Sequence, residues 1–126
     1  SNIKECRFFL ATGNNAQELI ILNKIMDSTN GKNCEKLNHL QISETLPIIK
    51  NCNISICNDS SFSHISAAVG IKTITLMADT PLIYGDYCSK MFPIIPEGEK
   101  TVSHNTLGKE KISPQKIFDK IIEIIN

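Results

Sequence analysis

No charge of either sign is in excess in this chain: Lys+Arg and Asp+Glu both number 13 in 126 residues. A general nucleic-acid footprint needs a basic surplus or stripe, and none is present. No apolar run approaches the ~20 residues of a membrane span, and no charged-then-apolar leader points to secretion. The five cysteines (Cys6, Cys34, Cys52, Cys57, Cys88) are odd in number, scattered, and form no C-x-x-C pair. That pattern fits reduced thiols in a cytoplasmic protein better than a disulfide framework or a zinc site. His39 and His104 have no partner at metal-ligand spacing, so neither a metal nor another cofactor is expected. Internal repeats, low-complexity tracts and the clustered acids of a receiver domain are also missing. The length suits one domain with a real core and is short for a two-domain enzyme.

What is present is an alternation of strand and helix patterns. Arg7–Ala11 reads as a compact apolar strand ending at Thr12-Gly13-Asn14-Asn15. A helix follows from about Ala16 to Ser28, with Leu19, Leu22, Ile25 and Met26 on one face, and Thr29 to Asn33 breaks it. A short strand is expected at Glu35 to Leu37. Ser43 reads as the N-cap of a helix carrying Leu46, Ile48 and Ile49, with Pro47 in its first turn, where a missing N–H costs little. Ile54 to Cys57 reads as a buried strand, Ile65 to Val69 as part of a helix stopping at Gly70, and Thr73 to Met77 as a further strand. After a turn-rich loop, Phe92 to Ile95 is expected to be a short edge strand. Ser113-Pro114 opens a last helix as cap and first-turn proline, with Ile117, Phe118, Ile121, Ile122 and Ile125 inward. Alternating units of this length imply an α/β fold built on a parallel sheet.

The most informative stretch is Asn58-Asp59-Ser60-Ser61-Phe62-Ser63-His64. It runs from the carboxyl end of a strand into a helix N-terminus, the place where open α/β sheets bind ligands. Free backbone N–H groups and the helix dipole make such a corner an anion site. His64, one turn into the helix, would stand beside a phosphate held there.

The segment Asn58 to Ala68, followed by Gly70-Ile71-Lys72-Thr73-Ile74-Thr75-Leu76-Met77-Ala78-Asp79-Thr80-Pro81, resembles the signature of glycosyltransferase family nine, the ADP-heptose:lipopolysaccharide heptosyltransferases and their relatives. The family pattern is an Asp, a Ser or Thr, a Gly and then a His opening an Ala-rich helix, followed by a strand and a loop ending near Pro. The likeness extends back through Leu40 to Cys52 and more loosely to Gly13 through Glu18, roughly residues 6 to 100. Ser61 and Phe62 stand where the family usually has a Gly and a variable residue, which holds the backbone further from a donor phosphate. Ala78 replaces the usual loop Gly.

The resemblance implies a Rossmann-like parallel sheet with flanking helices, part of the C-terminal donor domain of a GT-B fold. Residues 1–126 would form a single donor-binding-like domain, with the acceptor domain absent; the first strand here looks like the second of the donor domain, so that domain's own central strand and phosphate-loop Lys would be absent too. Such a chain is not expected to catalyse alone. By resemblance, Asp59 contacts sugar hydroxyls or fixes the turn, and His64 offsets the charge growing on the leaving nucleoside diphosphate. Ser60 and the Ser61 and Phe62 amides donate to the diphosphate, Gln17 or Glu18 meets the nucleoside ribose, Leu40 the base, and Thr80 closes the far side. The implied partners are an ADP-heptose-like nucleotide sugar and a saccharide acceptor held by the missing N-terminal domain, in lipopolysaccharide assembly.

Each residue also has a plainer reading. Asp59 and Ser60 can cap a helix, Glu18 can answer a helix dipole, Leu40 can be core and Thr80-Pro81 a turn; Tyr84 and Tyr87, which could stack on a base, are more commonly plain loop aromatics. Cys57 is expected to be inert in a buried strand. The competing function is a non-catalytic nucleotide-binding or interaction module; a flavodoxin-like cofactor or receiver domain is a weaker third. A sheet without its middle strand would expose edges, so self-association is expected.

Overall fold

The computed structural model describes residues 5–126. The chain divides into two compact units, one running to Thr45 and the other spanning Leu46–Asn126.

In the first unit, β1 (Phe8–Leu10) pairs in parallel with β2 (Cys34–Lys36), Phe8 opposite Cys34 and Leu10 opposite Lys36. Between them runs α1 (Ala16–Ser28). Its start is fixed by Asn15, whose side chain accepts from the Glu18 N–H at 3.0 Å, satisfying one of the amides a helix start leaves orphaned. Its end is a Schellman turn: Asn30 takes a left-handed φ of 51° and its N–H reaches Asp27, while the Gly31 N–H reaches the Met26 carbonyl at 2.8 Å. Of the four residues expected on its inner face, Leu22 is buried and Leu19 and Met26 are half-buried, but Ile25 is 39% exposed. The second strand begins one residue earlier than the sequence pattern suggests.

The division between units falls within α2 (Ile42–Lys50). This helix corrects two expectations. It starts before Ser43, because the Glu44 carboxylate reaches back to the Gln41 N–H at 2.7 Å and anchors the first turn there. Pro47 is consequently in the second turn, where its missing N–H leaves the Ser43 carbonyl without its usual helical donor.

The second unit carries a three-stranded parallel sheet in the order β3 (Ile54–Asn58), β4 (Lys72–Leu76), β5 (Met91–Ile94). Strand residues alternate between faces, and the two faces of β4 have different chemistry. Ile74 is fully buried and forms a core with Ile94 and Ile124, joined by Ile54, Leu76, Phe92, Ile112, Ile117 and Ile121. Each buried Ile contributes about 1.5–3 kcal/mol relative to exposure. The helix over this face is α4 (Pro114–Ile125), capped by the Ser113 hydroxyl accepting from the Lys116 N–H. Ile124, not Ile125, is its buried residue, and Phe118 and Ile125 are exposed against expectation. Lys72 Nζ donates to the Ile124 carbonyl at 2.9 Å, supplying a cation at the helix end.

The opposite face is polar and small. Thr73 and Thr75 are fully buried there, and α3 (Ser61–Ala68) lies on it through buried Ser63, Ser66 and Ala67. Ser66 Oγ donates to Ser55 Oγ at 3.0 Å, so helix and strand are joined by hydroxyls where most sheets use branched alkyl groups. As the sequence suggests, α3 stops at Gly70: its φ of 89° permits a second Schellman turn, with Ile71 N–H on the Ser66 carbonyl. β3 is an edge strand and Ile56 is 45% exposed, which corrects the reading of that strand as buried. Strand β5 is the other edge, which is where Pro93 is tolerated. The fold is α/β, with parallel strands flanked by helices.

Candidate functional site

The turn between β3 and α3 is held at both ends. The Asp59 N–H donates to the Leu76 carbonyl at 3.3 Å, extending the β3–β4 ladder one residue past the strand. Ser60 is the N-cap residue, extended at φ −160° and ψ 171°. Fully buried Ser63 locks it from inside: its hydroxyl donates to the Ser60 carbonyl at 2.7 Å and accepts the Ser60 N–H at 3.3 Å. The Ser61 and Phe62 amides are the first of the helix and have no acceptor within it. They are the groups that could meet an anion.

His64 lies one turn in, with Nδ1 hydrogen-bonded and Nε2 facing a carboxylate. Nε2 is 3.5 Å from Asp59 Oδ1, and Nδ1 is 2.7 Å from the Tyr87 hydroxyl. The Tyr87 and His64 rings are nearly parallel, 12° apart with centroids at 5.7 Å. Asp59 is the more enclosed partner, its side chain 13% exposed against 43% for His64. The result is a carboxylate–imidazole–phenol chain at the mouth of the helix. An Nε2–H facing the carboxylate leaves Nδ1 to accept the phenol proton; an imidazolium instead donates to both partners.

Tyr87 arrives on the loop from β4 to β5, which contains a 3-10 turn at Leu82–Tyr84. The loop is pressed against the sheet at Gly85, which is buried over fully buried Met77. Asp79 on this loop pairs with Lys109 at 3.2 Å, and Tyr84 lies 6.5 Å from His104. Thr80 Oγ1 is buried with no hydrogen-bond partner, as is Thr75 Oγ1.

Of the residues singled out in the sequence, the structure brings Asp59 and His64 into contact on the turn formed by Ser60, Ser61 and Phe62. Thr80 belongs to the same unit. Gln17, Glu18 and Leu40 belong to the other. There Glu18 is occupied locally: Asn15 Nδ2 donates to its carboxylate at 2.6 Å, and that carboxylate folds so closely over Gly13 that a Cβ there would collide with it. Leu40 is half-buried and ends a turn, its N–H on the Leu37 carbonyl. Tyr87, weighed from the sequence as a base-stacking or plain loop aromatic, was not expected beside His64. It is 23 positions from His64, and no local spacing announces a contact made by loop folding.

Cys57, beside the turn on β3, faces the polar side with its sulfur 3.1 Å from Ser55 Oγ. Burial pushes its thiol pKa up, only partly offset by hydrogen bonds from Ser55 and Ser66. That favours the neutral thiol and argues against a nucleophile. Among the described residues no three His, Cys, Asp or Glu side chains gather as a metal site would require, and no helix is long and apolar enough to cross a membrane.

The family model for glycosyltransferase family 9 (heptosyltransferase) matches residues 2–123. No curated protein and no solved structure matches the chain. With nearly its whole length covered by that one model, the chain belongs to glycosyltransferase family 9, the heptosyltransferase family.

Proposed function

We propose that this chain is the donor-binding portion of a heptosyltransferase-like enzyme, a single α/β domain that holds the diphosphate of a nucleotide sugar at the β3–α3 turn. The parent reaction is transfer of the sugar to a saccharide acceptor, in the cytoplasmic assembly of lipopolysaccharide. The observation that carries the reading is the Asp59–His64 pair set at a helix N-terminus whose first amides are free. Departure of a nucleoside diphosphate without a metal needs hydrogen-bond donors aimed at the growing negative charge, and this turn supplies them. Asp59 orients the imidazole, and the Ser61 and Phe62 amides cradle the phosphate. Thr80, with an unspent hydroxyl, closes the loop side. Gln17 or Glu18 and Leu40 are proposed as the ribose and base contacts.

The test is calorimetric titration of the full chain with ADP, GDP, UDP and CDP. A charge-assisted hydrogen bond is worth about 1.5–3 kcal/mol, so Asp59→Ala and His64→Ala should each weaken binding by about 10- to 100-fold. One observation favours the second reading, a non-catalytic interaction module: both His64 nitrogens already face groups of the protein, Nδ1 the Tyr87 hydroxyl and Nε2 the Asp59 carboxylate. Absence of binding by every nucleotide would select that module.

A further inference from the structure

If the donor reading holds, the two neighbours of His64 pose a chemical problem. A phosphate oxygen only accepts, and in the tautomer that accepts from Tyr87 the one imidazole N–H is on Nε2, turned toward the Asp59 carboxylate at 3.5 Å, which repels a phosphate of the same charge. Tyr87 resolves this, because its hydroxyl lies at the outer end of the chain and its side chain belongs to a residue 53% exposed. We propose that Tyr87 is the residue that donates to the ligand's diphosphate, with His64 acting through it as a positioning residue that never touches the ligand.

The hydrogen bonds balance in one arrangement. Without ligand, Nε2–H faces Asp59 and Nδ1 accepts the Tyr87 proton. When a diphosphate arrives, the imidazole takes one proton from solvent. Nε2–H continues to face Asp59, Nδ1–H now donates to the Tyr87 oxygen, and the phenol proton is released to point at a phosphate oxygen. The carboxylate at 3.5 Å holds the imidazolium, and the phenol carries its polarisation outward. The groups facing the ring are Asp59 from the turn and Tyr87 from the loop; on that loop Asp86 and Cys88 flank Tyr87 in sequence. Among the described residues the imidazole has no other side-chain partner.

The deciding experiment compares wild type, Tyr87→Phe, His64→Ala and the double variant of the full chain. ADP titrations are run at near-neutral pH in buffers of different ionisation enthalpy, alongside nitrogen-15 spectra of the His64 ring. Wild type should bind ADP with net proton uptake, its ring passing from one protonated nitrogen to two. Tyr87→Phe should lose about tenfold in affinity and the proton uptake together, while far-UV circular dichroism stays unchanged. The double variant should bind no more weakly than His64→Ala. If Tyr87→Phe binds ADP as well as or better than wild type while His64→Ala weakens it, the phosphate displaces Tyr87 and meets the imidazole directly. The inference then fails and the donor site stands. If wild type binds no nucleoside diphosphate, the donor reading fails and takes this inference with it.

Discussion

At Gly85 a Cβ would come within 2.5 Å of Met77 Sδ and 3.1 Å of its Cγ, and Met77 is fully buried. The position decides how closely the β4–β5 loop lies on the sheet, and so where Tyr87 is delivered. Gly85→Ala should therefore cost about 1–3 kcal/mol, as overpacking of a filled core does. The same change should weaken the Tyr87–His64 hydrogen bond. A thermal midpoint and the His64 nitrogen-15 shifts would check both effects; an unchanged midpoint and ring signature would show that Met77 yields freely. At this scale the site was half legible. Asp59 and His64 sit five positions apart around a helix start, so local geometry alone forces them together. Tyr87 joins them through a loop whose path is set by contact with Met77, a residue that no pattern near Tyr87 identifies.

Helix boundaries were legible wherever capping is local. Ala16–Ser28 and the stop at Gly70 follow from Asn15, Asn30 and Gly70, each acting within a turn of itself. Expectation failed at α2, where two polar residues competed to start the helix and the back-bonding Glu44 carboxylate favoured Gln41 over Ser43. The displaced start leaves Pro47 inside, with a helical bond missing at Ser43. Pro47→Ala restores that N–H at an exposed position and should raise stability, by up to ~3 kcal/mol if the helix needs no other adjustment. Chemical denaturation measures the gain; no change, or a loss, would mean that the bond is not recovered or that fixing φ in the unfolded chain outweighs it. Helix α4 shows a different limit. Its five expected inward residues span a wider arc than the sheet covers, and only the stripe Ile117, Ile121 and Ile124 packs on the core. Sequence periodicity finds an apolar stripe; the width of the surface beneath decides which edge of it is buried.

For the whole molecule, stability depends on pH through two half-buried thiols. The folded pKa of Cys57 lies above its unfolded value because burial disfavours the thiolate, and the Cys52 thiol shifts the same way for the same reason. The unfolded chain thus loses its thiol protons first as pH rises. Their contribution is complete below the ordinary thiol value of about 8.5 and is lost progressively above it, through the raised folded values. Urea midpoints should accordingly fall as pH climbs past that value, and Cys57→Ala should flatten the decline. A wild-type midpoint independent of alkaline pH would contradict the burial argument. Under native conditions, exposed Cys88 should react with a thiol reagent well before Cys57 does.

The amino-acid order by itself determined the alternation of strands and helices, the two glycine- and asparagine-stopped helix ends, the strand-to-helix turn at Asn58–His64 and membership of a glycosyltransferase family. All of these are written in contacts between residues a few positions apart, or in a signature read along one continuous segment. The tertiary structure alone decided that α3 rests on a face of serines and threonines, that Ile124 and not Ile125 enters the core, and that Tyr87 completes the Asp59–His64 pair. Those outcomes depend on which surfaces meet after the chain has turned back on itself. That is set by packing and exclusion of water over long sequence separations, where local pattern carries no information.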